Sequence, residues 1–469
     1  MLFKSIDRQK AYFYLYWLIL AVLAVILHSE HFLNIDEGVT LNGAWNLYNG
    51  RRLYFDFFAF VPPLSFYLID WLWKLIGVSF WSAKIFSVFL LFLGAIGSYK
   101  TAEKLKKTPL NFLVPLFFIF ISSWLVIINH NFYHLIAAVW AVYFFIAYWQ
   151  SGRYHRLVVS GLLTGVAILC LQQKGLALAG TFGLLLLFLP RPLAAKMRFY
   201  SLLIYGVSVI FPVSLMFLFW PPALLYKNLV DFPLFHYIEV NRISYRFLII
   251  SAIATAALGL SSRKLCSASL ILYAVVTGLF IFCYPLPDYY HLDLALIMLV
   301  PLLPEIICVN SVGWRRLARV IAVVILIWMW LWPVISRFAT LPFGFFNNIK
   351  NQSLEYVRRE CAGKTLQAGP FFPNFYLETG KLSATSFDVL ITGHQTPEQF
   401  ILARRQLEAA PPDCAVTYYP KFLVRFHHNQ NNPVENFIRD NYHPVFVDGV
   451  TTVWKYGIEL DLKNTPFRR

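Results

Sequence analysis

The chain has 469 residues, of which 58% are hydrophobic, 18% aromatic and only 14% charged, against about 25% charged in an average soluble domain. Its mean hydropathy of +0.59 excludes a soluble enzyme, a disordered chain and a disulfide scaffold. The formal net charge of +16 does not mark a nucleic-acid binder, whose bases must line a water-facing stripe; most of this chain cannot face water. The composition implies a polytopic α-helical membrane protein.

A membrane helix needs about 20 mostly apolar residues. Runs of that kind occupy 11–28, 81–99, 110–128, 132–149, 157–173, 175–189, 199–220, 246–260, 265–283, 291–309 and 317–336, predicting eleven spans. Short loops rich in Lys and Arg stay cytoplasmic. The alternate connections 1–10, 100–107, 150–156, 191–198, 261–264 and 310–319 hold seventeen bases against two acids, Asp7 and Glu103, and so carry +15 of the +16. The excess charge is topology. It predicts a cytoplasmic N-terminus, and an odd number of spans puts the C-terminus outside. The first apolar run is followed by His28-Ser29-Glu30-His31, not by a small-residue cleavage site, and reads as an uncleaved anchor.

The first outer stretch, about 29–80, is long and polar in ways a plain loop does not need. After Asp36-Glu37-Gly38, Leu41, Ala44, Trp45 and Tyr48 fall at i, i+3, i+4 and i+7. That spacing predicts a short amphipathic helix on the membrane surface, with Asn34 or Asp36 capping its start and Gly50 its end. Arg51, Arg52 and then Tyr54-Phe55-Asp56 lead to Pro62-Pro63-Leu64, which opens a second apolar helix reaching Ile76. Only one crossing fits between an outer Asp36 and the inner Lys-rich 100–107, so this helix is also predicted to be interfacial. Asp70 and Lys74, one turn apart on it, read as a surface pair.

Farther along, His130 and His134 share a helix face at a spacing that metal sites use. No third ligand is in view; no cofactor is expected, with a divalent metal as the less favoured alternative. Lys174 ends a span otherwise short of charge, either as a functional intramembrane charge or as a snorkelling lysine. Arg242, in the outer loop 231–242, and His291, at the start of a span, are further outward cations; His291 is equally an interface histidine. Arg51 and Arg52 face either an anionic ligand or lipid head groups, and Asp56 is either a second acid or a turn former.

From about Phe338 the composition changes, dividing the chain into a membrane domain, 1–337, and a small outer α/β domain, 338–469. Gln399–Ala410 has helical spacing, while Cys414–Phe426 and Pro444–Lys455 read as strands, the latter turning at Asp448-Gly449. Cys170, Cys266, Cys283 and Cys308 lie in or beside spans and behave as small apolar residues. Cys361 and Cys414 share the outer domain, on an oxidising side in most cells; whether they pair depends on a separation that sequence does not show.

This arrangement resembles the GT-C glycosyltransferases that use polyprenyl-phosphate sugars, especially the protein O-mannosyltransferases of glycosyltransferase family 39 and the aminoarabinose lipid A transferases. The matching features are one span, an Asp36-Glu37 pair opening a helix, the Pro62-Pro63-Leu64 helix and a second span ending in bases. Gly161 to Gly165 before Gln172-Gln173-Lys174 resembles the family's Gly-rich span ending in Lys. Pro287-Asp288-Tyr289-Tyr290-His291 resembles its late outer loop. The resemblance covers roughly 10–310, and the order of the motifs carries it.

The resemblance implies a membrane enzyme that moves a hexose or pentose from an undecaprenyl- or dolichyl-phosphate type donor to a lipid, glycan or protein acceptor, with inversion and without a metal. It implies Asp36 as general base. Glu37 would keep Asp36 basic while the helix N-terminus pulls the other way; the plainer alternative has Asp36 capping the helix and Glu37 complementing its dipole. Lys174, Arg242, His291, Arg51 and Arg52 are the cations available to the departing phosphate. Two departures stand out: Asn129 to His134 holds no carboxylate where some relatives have one, and Phe60-Val61 replaces the Glu-Lys of the aminoarabinose enzymes. The expected location is the plasma (inner) membrane. In an endoplasmic reticulum membrane, Asn351-Gln352-Ser353 would instead be an outward glycosylation acceptor. A membrane transporter or flippase is the alternative from another class, but such proteins tend to carry internal repeats and broken midplane helices, which this sequence does not show.

Overall fold

The computed structural model describes residues 8–28, 35–189, 195–237, 246–261, 267–281, 289–308, 313–340 and 352–457. The membrane domain is a bundle of α1 (Arg8–Leu27), α2 (Ile35–Tyr48), α3 (Leu64–Ile76), α4 (Phe80–Leu105), α5 (Leu113–Ser122), α6 (His130–Ser151), α7 (Tyr154–Cys170) and α8 (Gln172–Phe188). It continues through α9 (Ala195–Ser214), α10 (Pro222–Tyr226), α11 (Arg246–Ser261), α12 (Ser267–Ile281), α13 (Tyr289–Leu296), α14 (Leu303–Cys308) and α15 (Trp314–Thr340).

Each of the eleven apolar runs overlays one of these helices or a chain of them. Among the described residues four stretches, Lys10–Leu27, Phe80–Leu105, His130–Ser151 and Met197–Leu218, are long and apolar enough to cross a membrane, and six shorter apolar helices accompany them. The run 291–309 is not one helix: α13 gives way to a 3-10 stretch, Ile297–Leu302, before α14. Pro301 stands inside that stretch, and a proline has no N–H to continue the ladder. The Gly-rich motif of α7 serves packing. A Cβ on Gly165 would stand 2.2 Å from Pro212 Cγ on α9, so only glycine lets these helices approach so closely.

The expected surface helix at the start of the first outer loop is corrected. α2 is buried nearly all round, Glu37, Thr40, Asn42 and Asn46 included, because it is clamped between α3 and the outer domain instead of resting on lipid. Its apolar residues at helical spacing face protein on one side, and polar residues face protein on the other. Asp70 on α3 is likewise no surface group. Its side chain is fully buried while its partner Lys74, at 2.7 Å, is 54% exposed. α3 keeps an exposed apolar face of Trp71, Leu75 and Ile76. At the end of the membrane domain α15 runs to Thr340.

The outer domain has three layers. β1 (Thr365–Gly369), β2 (Leu382–Ser383), β3 (Cys414–Tyr418), β4 (Tyr442–Asp448) and β5 (Thr451–Tyr456) form a sheet in the order β2-β1-β3-β5-β4. β1 pairs parallel with β2 and β3, and β3, β5 and β4 are antiparallel. Side chains alternate across a strand. Val416 therefore packs under α16 (Gln352–Glu360) and α17 (Asn374–Thr379), and Ala415 under α18 (Pro397–Ala409) and α19 (Pro433–Asn441). The expected helix and the β4–β5 hairpin are present. The expected strand 414–426 stops at Tyr418, and Lys421–Phe426 coils into a 3-10 turn after Pro420. Thr396 starts α18 with a capping box to Gln399. Cys361 and Cys414 are disulfide-bonded, with Cα atoms 5.8 Å apart, tying the end of α16 to the start of β3.

Candidate active site

A cavity of about 380 Å³ lies between the membrane domain and the outer domain. Its inner wall is made of helix beginnings. Asp36 stands in the first turn of α2, Asn129 to Asn131 at the start of α6, Gln172 and Gln173 in the first turn of α8, and His291 in the first turn of α13. The first turns of four helices thus border one space, and each helix start carries the positive end of its dipole. Asn129 shows the local logic: its side chain accepts from the backbone N–H of Asn131 at 2.8 Å, capping α6.

Asp36 is exposed and lines the cavity. Glu37, the next residue, points elsewhere. It is 2% exposed and pairs at 2.7 Å with Lys84 of α4, itself almost buried. One residue of helix turns a side chain by about 100°, so the Asp-Glu pair is split between two jobs. Glu37, expected as a negative neighbour tuning Asp36, has its own charge balanced by Lys84. Nothing in the sequence pattern ties Glu37 to a lysine 47 residues on.

Lys174 is 4% exposed. Its ammonium reaches Asn131 Oδ1 and the backbone carbonyl of His291, each at 3.4 Å, and both residues line the cavity. A lysine buried behind the wall is not a snorkelling one; its charge is directed at the wall. Gln172 Nε2 donates to the carbonyls of Phe60 and Leu229 at 3.1 and 3.2 Å, fixing the apolar rim.

Arg51 and Arg52 do not line the cavity. Arg51 donates to the carbonyl of Ser383 at 2.7 Å and to Asn46 Oδ1 at 3.3 Å, fastening the first loop to the outer domain. Arg52 is exposed and paired with Asp56 at 3.1 Å. The backbone N–H of Arg52 also donates to Asp56 at 2.7 Å, so Asp56 forms a turn, and these bonds from Arg52 hold its carboxyl below the ordinary carboxylate range. Arg242 lies outside the described residues. His134 Nδ1 lies 3.2 Å from the carbonyl of Ala167 and His130 Nε2 lies 3.0 Å from Asn131. Among the described residues no group of three or more His, Cys, Asp or Glu is placed to hold a metal.

The outer wall contains what sequence reasoning missed. Phe371, Asp388, Val389, His394, Gln395 and Phe426 close the cavity from above. Burial pushes the Asp388 carboxyl up to about 7, against the Arg51 guanidinium and the amides of Asn42 and Asn46, which pull it down. The Asn46 amide donates to Asp388 Oδ2 at 3.1 Å. Asp388 is the one carboxylate between Glu378 and Glu398, a faint signal in a stretch without helical or strand period. The two domains are held in register by Trp45 Nε1 on the carbonyl of Lys381 at 2.9 Å and by the N–H of Phe58 on Ser386 at 2.8 Å. Gly38 lets α17 approach: a Cβ there would stand 2.0 Å from Asn374 Oδ1 and 2.9 Å from its backbone nitrogen.

Comparison with known proteins agrees with this geometry. The profile of the family described as dolichyl-phosphate-mannose-protein mannosyltransferase matches residues 61–220. ArnT from Cupriavidus metallidurans in the apo state superposes with a TM-score of 0.64 at 14% identity, over 96% of this chain and 98% of that one. AglB from Archaeoglobus fulgidus, solved with an inhibitory peptide and a dolichol-phosphate, gives 0.54 at 9% identity, over 87% of this chain and 70% of that one. The mycobacterial arabinofuranosyltransferase AftD gives 0.51 at 13% identity, over 97% of this chain and 40% of that one. No curated protein matches by sequence. The chain has the fold of the GT-C membrane glycosyltransferases.

Proposed function

We propose that this chain, built on the GT-C fold, is an integral-membrane glycosyltransferase that moves a hexose or pentose from an undecaprenyl- or dolichyl-phosphate type donor to an extracytoplasmic lipid, glycan or protein acceptor, with inversion. The observation that carries the reading is the placement of Asp36 on the cavity bordered by the first turns of four helices, in front of buried Lys174.

In this reading the acceptor oxygen attacks the anomeric carbon while the bond from that carbon to the phosphate oxygen breaks. Asp36 takes the acceptor proton, which requires hydrogen-bond reach of the hydroxyl. The phosphate leaves with one more negative charge. The N–H groups at the starts of α6, α8 and α13 stabilise that charge together with Lys174 and His291. Because Lys174 is already desolvated, its attraction for the new charge is stronger than that of a surface lysine. Arg242 remains a candidate for the same phosphate on its position in the outer loop. No cofactor takes part, so chelation by EDTA leaves turnover unchanged. The expected location is the plasma membrane, with a cytoplasmic N-terminus and the cavity and outer domain outside, on the strength of the basic connections.

The test uses full-length protein in lipid nanodiscs with a panel of undecaprenyl- and dolichyl-phosphate hexoses and pentoses. Mass spectrometry follows release of free polyprenyl phosphate with lipid A, envelope glycan or protein acceptors present. The reading predicts release from at least one donor that depends on an acceptor. A protein that neither releases nor binds any of these donors contradicts it.

A further inference from the structure

Two groups on the outer wall have no part in the transfer chemistry above. His394 is 8% exposed, and its Nε2 has no hydrogen-bond partner among the described residues. Buried imidazole nitrogens are normally satisfied, so this one is set to receive a partner from the cavity it lines. The His394 ring stands 5.1 Å from Tyr237 and 4.8 Å from Phe426. Burial and the nearby His428 hold its pKa down to about 4, which leaves a neutral ring able to donate or accept. Asp388, on the same wall, has its Oδ2 engaged by Asn46, while its buried Oδ1 has no partner among the described residues.

Aromatic rings from separate stretches of chain complete this half. Phe60 lies 4.8 Å from Tyr237, and Phe58 lies 4.8 Å from Phe232 and 5.8 Å from Phe387. Aromatic faces beside a carboxylate and a neutral imidazole suit one ligand chemistry in particular. A sugar ring offers hydroxyls around its edge and apolar C–H groups on its face. The cavity, at about 380 Å³, is at the small end for ligand sites; it suits one or two sugar rings better than an extended peptide, which needs a strand edge or an open groove for its backbone.

We propose that the outer half of the cavity is an acceptor subsite for a neutral saccharide, with Asp388 and His394 hydrogen-bonding its hydroxyls and Tyr237 and Phe426 packing on its C–H faces. The proposal rests on the glycosyl-transfer reading and adds the acceptor class and the residues that select it.

The experiment measures binding without donor, so its failure and that of the transfer reading are distinguishable. Full-length protein in nanodiscs is probed by saturation-transfer NMR with neutral methyl glycosides of common hexoses and pentoses, and separately with a Ser/Thr-containing hexapeptide. At least one methyl glycoside binds, and Asp388→Asn and His394→Gln each weaken it about tenfold, the loss of one good hydrogen bond to a buried group. Trp45→Phe removes an interdomain contact away from the cavity and leaves binding within about twofold. Should Asp388→Asn fail to fold, His394→Gln and Phe426→Leu decide. The proposal is overturned if no glycoside binds, if only the peptide binds, if both cavity variants bind like wild type, or if Trp45→Phe weakens binding as much as they do.

Discussion

The two walls of the cavity hold their polar groups in different ways. On the inner wall they sit in first turns of helices: Asp36 on α2, Asn131 on α6, Gln173 on α8 and His291 on α13. There the backbone itself contributes a field suited to an anion. On the outer wall, Asp388 and His394 lie on the connection between β2 and α18, and their properties come from burial and from neighbours brought in by the other domain. Under the proposed reading, a wall of helix starts suits charge that develops in the transfer. A wall of loops on a rigid sheet suits recognition under the same reading, the usual division between scaffold and binding loops.

The contrast between the walls can be broken at its joints. The largest stability effect is expected where α2 is pinned from behind. Lys84→Met leaves Glu37 buried and unpaired, at a cost of about 3–5 kcal/mol, read as a lowered unfolding midpoint in nanodiscs. The double variant Lys84→Met, Glu37→Gln recovers most of it. Recovery assigns Glu37 to the fold and Asp36 alone to the chemistry. No loss in Lys84→Met would return Glu37 to the site.

The outer wall depends on its own frame. The Cys361–Cys414 bridge spans 53 residues, and closing a loop of that length is worth about 4 kcal/mol in the chain-entropy treatment. Cys414→Ala should lower the outer domain's stability by about that much while the helical signal of the bundle persists. Concerted loss of both domains would show that the outer wall is not framed separately.

The inner wall is legible in the sequence because its residues follow features with a period. Apolar runs locate the helices; Lys174 and His291 fall at the ends of such runs, and Asp36 in the long connection after the first. The outer wall is not legible, since Asp388 and His394 occur in a stretch whose conformation is set by contacts with Asn46, Arg51 and Phe58, more than 300 residues earlier. The same long-range packing explains why α2 is buried where its spacing predicts a surface helix. Helical spacing of Leu41, Ala44 and Trp45 shows which side is apolar; it does not show that Asn42 and Asn46 are covered by a second domain. Periodicity also cannot separate Glu37 from Asp36, because their partners are distant in the chain.

A pH experiment sharpens the contrast further. The folded Asp388 carboxyl holds its proton to about 7, against an ordinary 3.8. The unfolded chain therefore releases this proton first, and the group's contribution to stability falls as pH rises from about 3.8 to about 7. Below that window the contribution is unimpaired. Asp388→Asn should remove this part of the slope, so the stability difference between variant and wild type grows in the variant's favour up to about pH 7 and then levels. A difference that is flat across the window would mean that Asp388 ionises normally. The smallest effect is expected at the rim. Arg52→Ala, which breaks an exposed pair with Asp56, should change stability by no more than about 1 kcal/mol and leave donor turnover unaltered.

The most direct measurement of the central claim compares wild type with Asp36→Asn in nanodiscs, using whichever polyprenyl-phosphate sugar the donor panel identifies. Donor binding and acceptor-dependent release of polyprenyl phosphate are followed on the same samples. If Asp36 is the base, the variant binds donor as wild type does and its release falls by about 10²–10⁴-fold, the usual contribution of a positioned general base. Equal release from both proteins would contradict the account and remove Asp36 from the reaction.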